Sequence, residues 1–355
     1  MSLTLTVDGP RWRGHLESVA DANPGIVPVA KGNGYGFTLG RLARKAQWLR
    51  DRGHAVTTLA LGTYDEVAEV ASRWHGEILV LTPWRPFVEP LDASLTGRVI
   101  HTVSRLVDLE QLLGAVPGSR VVLERTTSMK RHGMSGRELW EAGEVLRRHP
   151  DARLEGVALH LPLAQGNHLG EVDRLLTDAI AADCGITSVW VSHLTDGELT
   201  TLREQYGDFT IRPRIGTQLW LGDRGALHVT ATVLDVHPVD RGDIFGYRAR
   251  TAPKSGHLLI VSGGTAHGIG LEAPTGESSI KARAATLARG GLDAVGFVRS
   301  PYSIDGKQRL FAEPPHMQAS LLFVPHGARV PDVGDQIDVR VRYTATTFDR
   351  VVIDG

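Results

Sequence analysis

Cysteine is almost absent from this sequence: Cys184 is the only one in 355 residues. A single thiol excludes an internal disulfide framework, and no CxxC or Cys/His spacing of the kind that holds a metal occurs. Long apolar runs are missing as well. No window approaches the ~18 uninterrupted apolar residues of a membrane helix, and the opening stretch MSLTLTVDGPRWRG lacks the apolar core of a signal peptide. Nor is there an excess of charge of either sign. The 39 Lys and Arg against 40 Asp and Glu leave a formal net charge of −1, which offers no electrostatic basis for binding nucleic acid or an anionic membrane. The expectation is a cytoplasmic protein with neither partner. What is present, 42% hydrophobic and 22% charged residues, is the composition of an ordinary soluble chain long enough for two domains.

From residue 25 onward, short β-branched runs alternate with longer stretches of helical periodicity. Strands are predicted at 25–31, 57–62, 77–82, 98–103, 120–125, 154–161, 188–194 and 211–216. Between them, segments such as 38–51, 64–74, 135–148 and 169–182 repeat apolar residues at three- and four-residue steps, as amphipathic helices do. Strand alternating with helix indicates a parallel sheet, because parallel strands need crossover connections. A doubly wound open sheet fits this alternation too, but eight units in about 200 residues favour a closed (β/α)8 TIM barrel. After Gly222 the texture changes. Residues 227–237, 244–251, 256–264, 293–299, 319–325 and 336–343 read as strands with no long helical pattern among them. The expected organisation is α/β: a barrel over 11–223, then an all-β domain over 224–355, which residues 1–10 join.

The active site of such a barrel lies at the C-terminal ends of its strands. The predicted strands put Lys31, Glu124, His160, His193 and Arg214 at or near those ends, with Arg131 in the loop after the fifth strand. Lys31 is the most telling. It ends the apolar run GIVPVAK and is followed at once by GNGYG. Lysine is rarely buried unless paired. Held among apolar neighbours, its pKa falls and it becomes a usable amine, of the kind that forms Schiff bases with carbonyl compounds. The glycines around Tyr35 suit an anionic group, since N–H groups exposed in Gly-rich turns bind phosphate, although the spacing is not that of a P-loop.

On these residues the sequence resembles the alanine racemase family, pyridoxal 5′-phosphate (PLP) enzymes built from a barrel and a β domain. VAKGNGYGFTLG is similar to the family's V-x-K-A-N-A-Y-G-H-G, and LALGTYDEVAEV to its second strand and following helix. The resemblance implies Lys31 as the Schiff-base lysine and Tyr35 as a phosphate ligand. TTSMKRHG is similar to D-T-G-M-x-R-x-G, which makes Arg131 the substrate-facing arginine. RIGT makes Arg214 the partner of the pyridine nitrogen, and Gly216 and Thr217 backbone phosphate donors. His160 in ALHLPLA and His193 in SHLTDGELTTL match family histidines, with Gly197 in place of a cofactor-binding serine and Asp196 in place of an asparagine. A guanidinium donates only and stays charged, so a ring nitrogen facing it accepts and remains unprotonated. That cofactor is a weaker electron sink, suited to brief proton removal and quick return. The resemblance further implies an amino-acid substrate, alanine or a relative, and a homodimer with composite active sites.

The β domain departs from the family pattern. Where the family has a second acid/base tyrosine, supplied by the partner subunit, DIFGYRARTA offers Ala249 or Thr251. GTAHG puts Thr265 and His267 where a gate tyrosine and an aspartate stand, and PHMQAS keeps Met317 but changes Asp to Gln318. The nearest titratable substitutes for the tyrosine are Tyr247 and His267. Glu124 stands where the family carbamylates a lysine, and it is expected to pair with Arg131 directly through two parallel hydrogen bonds. Three readings follow: a racemase with a remodelled second acid/base, a PLP enzyme on the same fold for a bulkier substrate, and a catalytically impaired PLP- or ligand-binding descendant.

Overall fold

The structure is a computed structural model, and it describes residues 2–163, 166–271 and 298–355. It divides into two units, residues 13–223 and residues 1–12 with 224–355. The chain opens with strand β1 (Leu3–Asp8) and helix α1 (Gly9–Ala22). Strand and helix then alternate: β2 (Val27–Pro28), α2 (Leu39–Asp51), β3 (Thr58–Leu61), α3 (Asp65–Ala71), β4 (Glu77–Val80), α4 (Ala93–Thr96), β5 (Val99–Val103) and α5 (Leu106–Ala115). They continue with β6 (Arg120–Arg125), α6 (Gly136–Arg148), β7 (Arg153–His160), α7 (His168–Ala181), β8 (Ser188–Ser192), α8 (Asp196–Gln205), β9 (Thr210–Ile215) and α9 (Thr217–Leu221). Two helices start on capping boxes legible in the sequence, Ser135 with Glu138 and Thr195 with Glu198.

Strands β2 to β9 form one parallel sheet in the order β2-β9-β8-β7-β6-β5-β4-β3. The parallel bridge between Val29 and Ala60 joins its two ends, with Ala30 N–H donating to Ala60 O at 2.8 Å. The sheet is therefore a closed (β/α)8 barrel and not the open doubly wound alternative. Strand alternation sorts its side chains. Outward-facing Val103, Leu123, Val157, Leu159, Val189 and Val191 pack with helix residues such as Leu112, Leu139 and Leu175. Inward-facing Val27, Val29, Ala60, Leu79, Ile100, Val122, Ala158 and Trp190 form a separate cluster in the barrel's interior.

The other unit is built from β1 with β10 (Leu227–Val239), β11 (Ile244–Phe245), β12 (Arg250–Thr251), β13 (Gly256–Ser262), β14 (Arg299–Ile304), β15 (Lys307–Phe311), β16 (Ala319–Pro325), β17 (Gln336–Val339) and β18 (Arg350–Asp354). Six of these strands follow in the order β13-β16-β15-β14-β17-β10, and β10 also pairs with β13, so this sheet closes on itself. Strands β1 and β18 extend it from β10, β1 antiparallel and β18 parallel to β1. The sequence pattern did not announce β15 or β18, and the strand expected over 293–299 meets β14 only at Arg299. The single strand expected over 244–251 is a hairpin of two short strands, because Gly246 and Ala249 take positive φ and turn the chain between them. Residues 293–297 of another expected strand lie outside the described residues. Among the described residues no helix is long and apolar enough to cross a membrane.

Candidate active site

Strands β2 to β8 of the first barrel each present an apolar residue to the interior, and β9 has Arg212 at that level. Two residues further on, at the C-terminal end, come Lys31, Gly62, Thr102, Glu124, His160, Ser192 and Arg214. Period-two alternation thus sends one lysine, one glutamate, one histidine and one arginine to the same rim of the barrel. Lys31 follows β2, and the chain then turns tightly: Gly34 N–H donates to Lys31 O (3.1 Å) and Phe37 N–H to Gly34 O (2.9 Å). Tyr35 takes φ 55 in that turn. Gly34 has φ +62, and a Cβ there would meet Leu39 N at 2.7 Å, so this position needs glycine.

Burial lowers the Lys31 pKa below its ordinary value, and the cations Arg131 and Arg214 lower it further, against a smaller opposing effect of Glu66. Glu66, on α3, is a residue that the sequence analysis missed. Its carboxylate accepts from Gly32 N–H (2.8 Å) and Gly62 N–H (2.6 Å), so it ties together the loops after β2 and β3. Its place in TYDEVAEV marked only a helix start. Burial and the Glu66 charge push the Tyr35 phenol up to about 12, so it stays protonated and a donor. The Tyr35 hydroxyl lies against Gly216, where a Cβ would come within 2.1 Å of Oη. Gly216 leads into Thr217 at the start of α9, and Trp220 Nε1–H fastens that helix to Val29 O at 2.7 Å.

Arg214 is buried. Its Nη2 donates to Leu159 O at 3.0 Å, while Nε has no acceptor. Burial, partly offset by Glu124, brings its pKa to about 10. Glu124 is 4% exposed, and its Oε2 has no donor. Burial raises its pKa, against Arg214, Arg131 and Arg85. No ion pair joins Glu124 to Arg131, contrary to the expectation of direct pairing, because the loop 126–133 is held by its own bonds. Thr126 Oγ1–H donates to Gly133 O (2.6 Å), Thr127 Oγ1–H to His160 O (2.6 Å), and Ser128 N–H to Glu171 (2.6 Å), which leaves Arg131 exposed on the loop.

His160 and His193 are neighbours, with ring centroids 4.9 Å apart. Burial and the surrounding cations, Arg214 first, lower the His160 pKa to about 3. His193 is lowered by burial, and its Nδ1 meets Leu161 O at 2.6 Å, so Nδ1 carries the hydrogen. Gly197 lies in the first turn of α8, where a Cβ would meet nothing within 4 Å.

The remaining candidates belong to the other unit. His267 is buried with both ring nitrogens occupied: Gly264 N–H donates to Nδ1 (3.2 Å), and Nε2 meets Asp349 Oδ1 (3.0 Å). Tyr247 is 87% exposed on the β11–β12 hairpin, and Met317 is also exposed. Ala249 and Thr251 carry no group that titrates near neutral pH.

A family model described as "Alanine racemase, N-terminal domain" matches residues 13–194. A curated alanine racemase of Nitratidesulfovibrio vulgaris is 26% identical over 274 residues, covering 72% of this chain and 72% of that protein. Among solved structures, the alanine racemase of a D-cycloserine-producing Streptomyces lavendulae has a TM-score of 0.70 at 18% identity, covering 100% of this chain and 97% of its own. A histidine racemase of Leuconostoc mesenteroides has a TM-score of 0.67 at 17% identity, with coverage of 99% and 98%. At such identities the structural matches speak for the fold.

Proposed function

The chain belongs to the alanine racemase family, and from that premise we propose that it is a PLP-dependent amino-acid racemase acting on alanine or a related small amino acid. One observation carries this reading: Arg214 is buried at the rim with an Nε–H that no atom of the described residues accepts. The ring nitrogen of a bound pyridine cofactor would supply the missing acceptor. The other features fit the same cofactor. Tyr35 offers a protonated phenol beside a backbone so close that only glycine fits at 216, as a phosphate cradle requires. Lys31 offers an amine of lowered pKa for an aldehyde. Lys31, Tyr35, Arg214, Gly216, Thr217 and Gly197 would hold the cofactor.

When bound, PLP withdraws electrons from the substrate's α-carbon and acidifies its C–H bond. Lys31 Nζ takes or returns that proton on one face, with its pKa brought towards neutrality by burial and the two arginines. Arg131 takes the substrate carboxylate, while His160 stays neutral and His193 holds a fixed tautomer beside it. On the opposite face we assign the proton to Tyr247 and not to His267, whose ring nitrogens are both committed within its own unit. In a homodimer in the cytoplasm, the tyrosine of one protomer serves the barrel of its partner.

Borohydride reduction of the PLP-loaded protein followed by peptide mapping should find the pyridoxyl group on Lys31; a saturated protein with Lys31 unmodified would sink the cofactor assignment. Incubation in D₂O with individual amino acids should give α-deuterated alanine. Deuteration confined to bulkier amino acids favours a larger substrate admitted past Thr265, and none at all favours a descendant that binds without turnover.

A further inference from the structure

The turn that begins at Lys31 is held by a carboxylate from another part of the barrel. Glu66 on α3 accepts from Gly62 N–H at 2.6 Å and from Thr63 N–H at 3.3 Å, both through Oε2. Those two bonds are local, and they alone would close the start of the helix. Oε1 reaches elsewhere. It accepts from Gly32 N–H at 2.8 Å, across 34 positions of sequence. One carboxylate is thus shared by the loops after β2 and β3. The two loops also meet at Lys31 itself. A Cβ on Gly62 would fall 3.0 Å from Lys31 Cβ and 3.1 Å from Glu66 Oε2, so the backbone just after β3 is packed against the root of the lysine. Lys31 nevertheless stays open enough at the rim for a small reagent to reach it.

We propose that Glu66 is a positioning residue for Lys31, whose two oxygens hold the lysine's root between the loops after β2 and β3 and whose charge stands against the cations of the rim. That role deepens the racemase reading and rests on its use of Lys31 as a proton carrier. The groups that face Lys31 are Glu66 from α3, Arg131 from the loop after β6, Arg214 from β9, His160 from β7 and His193 after β8. Burial and the two arginines push the amine towards its neutral form, and Glu66 opposes them. An amine pushed too far is a poor base, because proton transfer is most efficient when the pKa lies near the working pH. Glutamine does not reproduce the arrangement. Its amide has one acceptor oxygen, and its NH₂ would face an N–H donor of one of the two loops. Aspartate keeps the charge but is one methylene too short to span both.

The test reads Lys31 in the full-length chain freed of PLP with hydroxylamine, so it does not depend on turnover. Trace acetic anhydride competes for amines across a pH series, and mass spectrometry of the Lys31 peptide gives the lysine's midpoint. Glu66→Gln should move that midpoint down by about half a pH unit or more, and Glu66→Asp should move it less. Amide hydrogen exchange in the peptide containing Gly32 should quicken about tenfold or more in both variants, because the tie to the second loop is lost. Thermal melts confirm that each variant is folded. A folded Glu66→Gln protein with either the midpoint or the exchange unchanged would overturn the proposal. If that variant does not fold, unchanged exchange in Glu66→Asp overturns it instead. The activity readout is separate. Glu66→Gln should lower kcat for α-proton exchange about 10- to 100-fold with KM for alanine little changed, and Glu66→Asp should recover part of the loss. A moved midpoint with no α-exchange in any protein, wild type included, keeps the hold on Lys31 and removes the racemase reading. Turnover indifferent to both substitutions overturns the positioning role.

Discussion

The two ends of the first barrel's interior are both charged, yet they are built on opposite plans. At the N-terminal end the charges answer one another. Arg120 pairs with Glu77 and with Glu155, Thr58 Oγ1–H donates to Glu77 (2.9 Å), and Arg212 donates to Thr57 (2.7 Å) while stacking over Trp190 at 4.2 Å. Burial alone would raise the Glu77 pKa, but the hydrogen bonds of Arg120 and Thr58 prevail and hold it below the usual carboxylate range. At the C-terminal end Arg131 and Arg214 lower the Lys31 pKa, and among the described residues Glu124 Oε2 and Arg214 Nε are left without partners. A closed network stabilises a fold. An open one leaves bonding capacity for a ligand, at a cost to stability.

The largest contrast lies between Lys31 and Arg120. Lys31→Ala should abolish reductive attachment of PLP and cut α-proton exchange by more than about 10⁴-fold, with the melting temperature unchanged or raised. Arg120→Met should do the reverse. It leaves Glu77 and Glu155 without their cation and, allowing for their partial exposure, should lower stability in urea by about 2–3 kcal/mol, with activity per folded molecule retained. An Arg120→Met protein as stable as the wild type would break the comparison.

Glu124 and Glu77 sharpen it. The Glu124 pKa is raised in the folded state by burial, so its favourable contribution belongs to low pH and is lost as pH rises through that value. Glu124→Gln should therefore hold or increase stability at pH 7. Glu77→Gln removes a carboxyl whose pKa is lowered and should decrease stability at pH 7, since that contribution is present above the unfolded value and lost in acid. Chemical denaturation of the two variants at pH 7 and pH 4 decides whether the signs differ.

At pH 7 the smallest effect is expected at His160. Its folded pKa of about 3 lies below the ordinary 6.5. Between those values the unfolded chain binds the proton and the folded one does not, so stability falls as pH drops through that window. His160→Asn should flatten this part of the acid-denaturation curve. An unchanged curve would mean that His160 is more freely hydrated than its burial indicates.

Much of the candidate site's placement at one rim was legible as sequence because its signals are short. VAKGNGYG joins a strand end, a lysine and a glycine turn within one segment, and RIGT does the same for Arg214 and Gly216. Glu66 escaped because its role is to bridge two loops, and DEVAEV is indistinguishable from an ordinary helix start. The direct Glu124–Arg131 pair was a reasonable expectation from charge alone, but bonds within the loop 126–133 and to Glu171 on α7 decided where Arg131 stands. The short strands β15 and β18 escaped for another reason: KQRLF and RVVID are too short to carry a pattern, and they are strands only because neighbouring strands offer them unpaired backbone.

By itself, the sequence determined the alternation of strand and helix, hence the parallel sheet, and through the two-residue period of each strand which side chains reach its C-terminal rim. These are properties of consecutive residues, set by backbone sterics and the burial of one face; the pairing of Val29 with Ala60 closed the sheet. Tertiary structure alone decided which of those polar groups are satisfied. His267, a candidate acid/base by position, is fully engaged by Gly264 and Asp349, whereas Arg214 and Glu124 keep an atom unpaired. A hydrogen bond forms over about 3 Å between segments that can be hundreds of residues apart, and no local pattern encodes that distance.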